Sequence, residues 1–311
     1  MWIAWLYLIF GMGVLYFGAE SLVRGAGGIA QNFNIRPALI GLTLVAFGTS
    51  VPELTVTAIA SAKGEGAIAL GNIVGSNIAN IGLVVGIAAL IRPLRVERML
   101  IKREVPISVF AIVIFYLMSI DGTLGRVDGA ILVLCMVVFS IYIVRKGIKE
   151  KGEREAGGLP SRHGLGVCIV LVFLGIVGVV AGGHVFLKSA VSIARHFGIN
   201  EFFIGITMVA LGTSLPELAT SSIAAFRKQD DMCVANVVGS NIINIFCGIG
   251  IASLIAPISV DPSLLKNEFL FLLGFGMALL PLLKTGLGIS RLEGAMCLLA
   301  YAAFIYFSYI T

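Results

Sequence analysis

Charge is scarce in this chain. Only 13% of its 311 residues are Asp, Glu, Lys or Arg, against about 25% in soluble proteins. Hydrophobic residues make up 58%, and the mean hydropathy is +1.02. An ordinary soluble domain is thereby excluded. Histidine is rarer still, with three copies, and the five cysteines (Cys135, Cys168, Cys233, Cys247, Cys297) lie in apolar stretches without a C-x-x-C pair. They read as small buried hydrophobes, not as disulfide, redox or zinc positions. No nucleic-acid motif accompanies the net charge of +5, so no nucleic-acid partner is expected, and basic residues in so apolar a chain report topology instead. The short alternating segments of a membrane β-barrel are missing. So is a nucleophile–base pair beside the intramembrane acids, which argues against an enzyme. The opening MWIAWLYLIF lacks the basic n-region of a signal peptide and reads as a first span.

What the chain has is apolar runs of about 20 residues, the length that crosses a bilayer. Candidate spans cover 2–23, 37–61, 67–91, 105–120, 127–144, 165–187, 202–225, 232–256, 268–283 and 290–310. The expected fold class is an all-α polytopic membrane protein with ten transmembrane helices. Between spans five and six lies a polar, Gly-rich linker, too short for a domain. With the N-terminus outside, 17 of the 22 Lys and Arg fall on inside connections and 5 on outside ones. The positive-inside rule therefore predicts extracellular termini, a cytoplasmic linker and a multi-pass protein of the cell membrane.

Shifted by 164 residues, the chain matches itself. Residues 30–93 and 194–257 share 30 identities in 64 ungapped positions. Polar residues match in register, which shared membrane composition cannot produce. Five spans per half make the second copy enter the membrane from the opposite side. The expected organisation is a first repeat over 1–145, a linker over 146–164 and a second repeat over 165–311. Inverted repeats of this kind place a transporter's binding site near mid-membrane, between the halves.

The most informative repeated stretch is GTSVPEL at 48–54 with its copy GTSLPEL at 212–218. A carboxylate inside the membrane is costly and is read as functional, which singles out Glu53 and Glu217. Pro52 and Pro216 offer no N–H to the carbonyls of Gly48 and Gly212. Freed carbonyls at this depth are tolerated only in protein or along a cavity. The second repeated stretch, GNIVGSNIANIG at 71–82 and ANVVGSNIINIF at 235–246, adds Ser76, Asn77, Asn80, Ser240, Asn241 and Asn244. Their glycines suit close helix packing. The donor set is all oxygen, which fits Ca²⁺ and Na⁺ rather than soft metals; His163, His184 and His196 are poorly placed as ligands. Two ionised glutamates balance one Ca²⁺ or two Na⁺, and a third Na⁺ makes the step electrogenic. Competition for one pocket with alternating access is antiport.

With these paired GTSxPE and GSNxxN motifs the chain resembles the cation/Ca²⁺ exchanger superfamily, in the short prokaryotic form of the Na⁺/Ca²⁺ exchangers, over essentially its whole length. The resemblance implies four adjacent cation sites. The central Ca²⁺ site draws on Glu53, Glu217 and the carbonyls of Thr49 and Thr213. Flanking Na⁺ sites draw on Ala46, Ser50 and Ser240, and on Ala210, Ser214 and Ser76. Asn80 and Asn244 complete the middle. It implies about three Na⁺ inward per Ca²⁺ outward, driven by the Na⁺ gradient, with the first and sixth helices sliding as gates. Glycines 11, 13, 18 and 25, and 175, 178, 182 and 183, suit sliding and close static packing equally. Some relatives carry Asp where this chain has Asn244, and that Asp accompanies K⁺ dependence, so no K⁺ requirement is expected. The short linker leaves no room for the Ca²⁺-sensing domains of animal exchangers. Na⁺ and Ca²⁺ are expected as substrates in a lipid bilayer, without a cofactor or an obligate protein partner. The competing readings are an H⁺/Ca²⁺ antiporter and a Ca²⁺-permeable channel.

Overall fold

A computed structural model describes residues 2–153, 164–197 and 210–310. Helix α1 is Trp2–Phe33. Helices α2 (Pro37–Thr49) and α3 (Val51–Ala62) are bent by 47° at their junction, and α4 is Gly66–Ile91. Then follow α5 (Arg98–Lys102), α6 (Glu104–Ser119) and α7 (Arg126–Glu153). The second half has α8 (Leu165–His196), α9 (Ala210–Thr213) and α10 (Leu215–Phe226). It continues with α11 (Asp230–Ile255), α12 (Pro262–Lys266), α13 (Glu268–Lys284) and α14 (Arg291–Ile310).

Among the described residues, six helices are long and apolar enough to cross a membrane, and the bent α2–α3 pair makes a seventh if it is one broken span. The expected spans over 105–120 and 290–310 are the helices α6 and α14. Residues 202–209 of the expected 202–225 span, and 154–163 of the linker with His163, lie outside the described residues. The first part of the expected linker is helical, because α7 runs on to Glu153. Lys and Glu dominate that stretch and are good helix formers even in water. Helix α1 likewise outruns its apolar stretch by ten residues. Within that extension Asn32 donates to the Gly28 carbonyl at 2.9 Å, and at its start Arg24 pairs with Glu20 one turn back. Its 32 residues span about 48 Å, more than the roughly 30 Å hydrocarbon core of a bilayer.

The molecule is built inside out from α4 and α11. In each, 78% of the central apolar stretch is buried, against 17–28% in the other four crossing helices. Trp2, Phe17, Phe173 and Leu299 of the outer helices are exposed, as side chains facing lipid are. Two short antiparallel ribbons join the halves. Leu94–Arg95 pairs with Gly288–Ile289, and Thr123–Leu124 pairs with Ile258–Ser259.

Helices α1 and α8 lie directly on each other. A methyl group on Gly18 would sit 2.9 Å from the Gly178 Cα, and one on Gly11 would sit 2.7 Å from the Phe186 nitrogen. Gly175 and Gly182 press in the same way on Leu22 and Leu15, whereas Gly13 faces open space. Backbones approach this closely only where side chains are missing.

Candidate cation site

Each repeated GTSxPE stretch is a helix break. Ser50 (φ −80°, ψ 0°) interrupts the path from α2 to α3, and Ser214 (φ −85°, ψ 5°) interrupts that from α9 to α10. Both prolines fall in the first turn after the break, where a missing N–H is harmless. Leu54 and Leu218 donate backwards to the Ser50 and Ser214 carbonyls at 3.0 Å each. The following Glu53 and Glu217 therefore sit in the first turns of α3 and α10, where the positive end of a helix favours negative charge.

Both glutamates are fully buried, as are Thr49, Ser50, Ser76, Asn80, Ser240 and Asn244; Ser214 and Thr213 are nearly so. Their bonds cross between the halves. Ser50 Oγ donates to Glu217 Oε1 at 3.0 Å, and Ser214 Oγ donates to Glu53 Oε1 at 3.2 Å. Ser240 Oγ adds a longer 3.4 Å bond to Glu217 Oε1. Ser76 Oγ lies 3.5 Å from Thr213 Oγ1. Thr49 Oγ1 donates to the Ala46 carbonyl at 3.3 Å. Ala210 opens α9. Thus every sequence-predicted site residue lies on the helix breaks or on α4 and α11, and the hydrogen bonds join Glu217 to Ser50 and Ser240, Glu53 to Ser214, and Ser76 to Thr213.

Two expected members behave differently from the rest. Asn80 donates to Asn241 Oδ1 at 3.0 Å, but the register mate of that bond, Asn244 to Asn77, is not made. Both amide atoms of Asn244, and Oδ1 of Asn77 and of Asn80, are buried without hydrogen-bond partners. Asn80 and Asn244 each open a π-helical turn, over Asn80–Val84 and Asn244–Ile249. Such turns are rare and frequent at functional sites.

The sequence reading missed the braces. Asn72 donates to the Glu53 carbonyl at 3.1 Å and to Thr57 Oγ1 at 2.9 Å, and Asn236 donates to Ser221 Oγ at 3.0 Å. Their amide oxygens face the threonines of the opposite half: Thr213 Oγ1 lies 3.3 Å from Asn72 Oδ1, and Thr49 Oγ1 lies 3.4 Å from Asn236 Oδ1. The register of Asn72 with Asn236, and of hydroxyl-bearing Thr57 with Ser221, was the available signal.

The remaining carboxylate oxygens, Glu53 Oε2 and Glu217 Oε2, are buried without a hydrogen-bond partner. No basic side chain is paired with either among the described residues. Leaving a buried charged oxygen unpaired costs more than the 1–3 kcal/mol of a neutral group. A hard cation takes oxygens of this kind, and its charge removes the repulsion between the acids.

A many-helix membrane protein with dehydrated acids at two facing helix breaks has the architecture of an ion transporter. The comparisons narrow that class. A family model described as sodium/calcium exchanger protein matches residues 3–145 and 167–310. Inner membrane protein YrbG of Escherichia coli is 33% identical over 276 residues, covering 86% of this chain and 85% of YrbG. Sodium/calcium exchanger MaX1 of Methanosarcina acetivorans is 31% identical over 338 residues, covering 96% and 97%. The solved structure of the sodium-calcium exchanger NCX_Mj superposes with a TM-score of 0.84 at 33% identity, covering 97% of each chain. The chain belongs to the sodium/calcium exchanger protein family and is a multi-pass membrane protein.

Proposed function

We propose that this protein is a secondary antiporter that exchanges about three Na⁺ for one Ca²⁺ by alternating access. The ten-span plan, with inverted repeats over 1–145 and 165–311 and both termini outside, belongs to this proposal. The observation that carries it is the pair of fully buried carboxylates, each held on one oxygen by a serine of the other half and bare on the second. One Ca²⁺ between Glu53 and Glu217 satisfies both bare oxygens and both charges. The Thr49 and Thr213 carbonyls complete its shell. Ser50, Ser240 and Ala46, and Ser214, Ser76 and Ala210, serve Na⁺ on either side, with Asn80 and Asn244 between.

Na⁺ is favoured over H⁺ as the counter-ion by the hydroxyl groups. A proton exchanger needs only the carboxylates, yet three serine hydroxyls bond to them here and a fourth, Ser76, lies against Thr213. The test is Ca²⁺ flux in proteoliposomes under a Na⁺ gradient or a pH gradient applied separately, each with and without K⁺. Efflux under the Na⁺ gradient, indifferent to K⁺, is the expected result. Efflux driven by the pH gradient alone overturns Na⁺ coupling in favour of H⁺/Ca²⁺ exchange. Flux that needs no counter-ion indicates a channel instead.

A further inference from the structure

Asn80 and Asn244 stand at matching positions on matching backbone, with φ −58°, ψ −45° at Asn80 and φ −58°, ψ −44° at Asn244. The same four residues, GSNI, lie just ahead of each, at 75–78 and 239–242. The amides concerned, Asn77 and Asn80 on α4 and Asn241 and Asn244 on α11, are all fully buried. Yet the two halves hold them differently. In the first half Asn77 turns back on its own helix, its Nδ2 donating to the Ile73 carbonyl at 2.7 Å. Its Oδ1 is left bare, and so is Nδ2 of Asn244, the group that would donate to it by the register of the repeat. In the second half Asn241 does not turn back. Its Nδ2 is unbonded, and its Oδ1 takes the Asn80 amide across the halves at 3.0 Å.

A bound cation accounts for the bare oxygens of Asn80 and Asn244. It does not account for the bare Nδ2 of Asn244, because an amide NH₂ donates and does not ligate. A buried donor without an acceptor is costly, and the acceptor that the repeat offers is Asn77 Oδ1, bare as well. Backbone and motif match in the two halves, so the difference lies in the side chains. One asparagine is parked on its own helix and its mate bridges. Halves related by a pseudo-two-fold axis in the membrane plane change places when the molecule is turned over about that axis. The same operation exchanges the two sides of the membrane.

We propose, on the basis of the alternating access proposed above, that Asn77 and Asn241 are positioning residues that set the access state. In the state seen here Asn241 bridges to Asn80. In the opposite state Asn241 parks on the Val237 carbonyl, the mate of Ile73, while Asn77 bridges to Asn244.

The test is tracer Ca²⁺ self-exchange in oriented proteoliposomes, which needs no counter-ion, with half-saturating Ca²⁺ measured from each face. The apparent affinity at a face scales with the fraction of protein open to it. Asn241→Ala removes the bridge present here and is expected to shift the ratio of the two affinities about fivefold. Asn77→Ala removes the bridge of the opposite state and is expected to shift the ratio about fivefold the other way. The double variant loses both bridges and is expected to return close to the wild-type ratio. Shifts in the same direction, or an unchanged ratio in both single variants, overturn the proposal and leave antiport standing. Tracer flux in the wild type that is absent or fails to saturate overturns alternating access itself, and the asparagine switch with it. Should Asn241→Ala fail to fold, Asn77→Ala decides alone, because Asn77 makes no bond between the halves in this structure. An unchanged ratio in that variant overturns the proposal.

Discussion

The two ends of the molecule are held differently. At the end carrying the 33–37, 91–98 and 226–230 connections, ion pairs tie the helices. Glu20 of α1 binds both Arg24 and Arg227, Arg36 binds Glu97 at 2.9 Å, and Glu104 of α6 binds Lys146 of α7 in a buried pair. A shift of 164 positions carries each pair to the other end, and none survives. Glu20 and Arg227 become His184 and Lys63, and Arg36 and Glu97 become Asn200 and Asp261. Glu104 and Lys146 become Glu268 and Ile310. Asp261 is engaged elsewhere: the Ser263 hydroxyl and N–H hold its carboxyl below the usual carboxylate range. The centre, in contrast, is nearly symmetric in its serine–glutamate bonds. An exact inverted repeat would leave inward-open and outward-open states equal in energy. The ion pairs are departures from that symmetry, so under the proposed alternating access they are where a bias between the two states would be set.

The symmetric centre predicts equal damage from either side. Glu53→Gln and Glu217→Gln are each expected to cut Na⁺-driven Ca²⁺ uptake roughly a hundredfold, since a buried charge loses its partner at about 3 kcal/mol or more. Near-normal uptake by either variant would refute the assignment of that glutamate. The asymmetric periphery predicts the opposite pattern. Lys146→Met strands a buried carboxylate and is expected to lower stability by about 3–5 kcal/mol. Adding Glu104→Gln should recover part of this, while Glu268→Gln, at the mate position, should change the melting temperature little. A third comparison concerns bias. Arg227 is partly exposed, so its pair with Glu20 is worth at most about 1 kcal/mol. Arg227→Gln, which leaves the Glu20–Arg24 pair in place, is therefore expected to shift the ratio of Ca²⁺ affinities measured in right-side-out and inside-out vesicles by no more than about fivefold. His184→Glu, which puts an acid at the mate position of Glu20, should shift that ratio the opposite way. A shift in the same direction would sink the symmetry argument. The smallest effect is expected from Asn244→Asp, with transport retained and its ion dependence altered.

The centre was legible because its chemistry is repeated. A polar residue at one position proves little in an apolar chain, but Glu53 and Glu217, or Ser76 and Ser240, in the same register do. Asn72 and Asn236 carried the same signal and were passed over, because a brace cannot be told from a ligand without knowing which carbonyl it reaches. The helix breaks were legible from Pro52 and Pro216. The π-helical turns at Asn80 and Asn244 were not, since no proline or glycine pair marks their start. The peripheral ion pairs were hidden for a different reason. Glu20 and Arg227 stand 207 positions apart, and nothing in the local sequence of either names its partner. The true ends of α1 and α7 were missed because hydropathy stops at the membrane surface, whereas backbone hydrogen bonding does not.

Where Gly18 and Gly178 meet backbone to backbone, α1 and α8 leave no slack between them. Under the proposed alternating access, a displacement of one would carry the other, so the two would act as a single bolt with two positions. A bolt seals one door in the act of unsealing the other. On the proposed mechanism, leak, the failure that would short-circuit a Na⁺ gradient, requires both doors open together, and a pair of helices that moves as one would have no position that permits it.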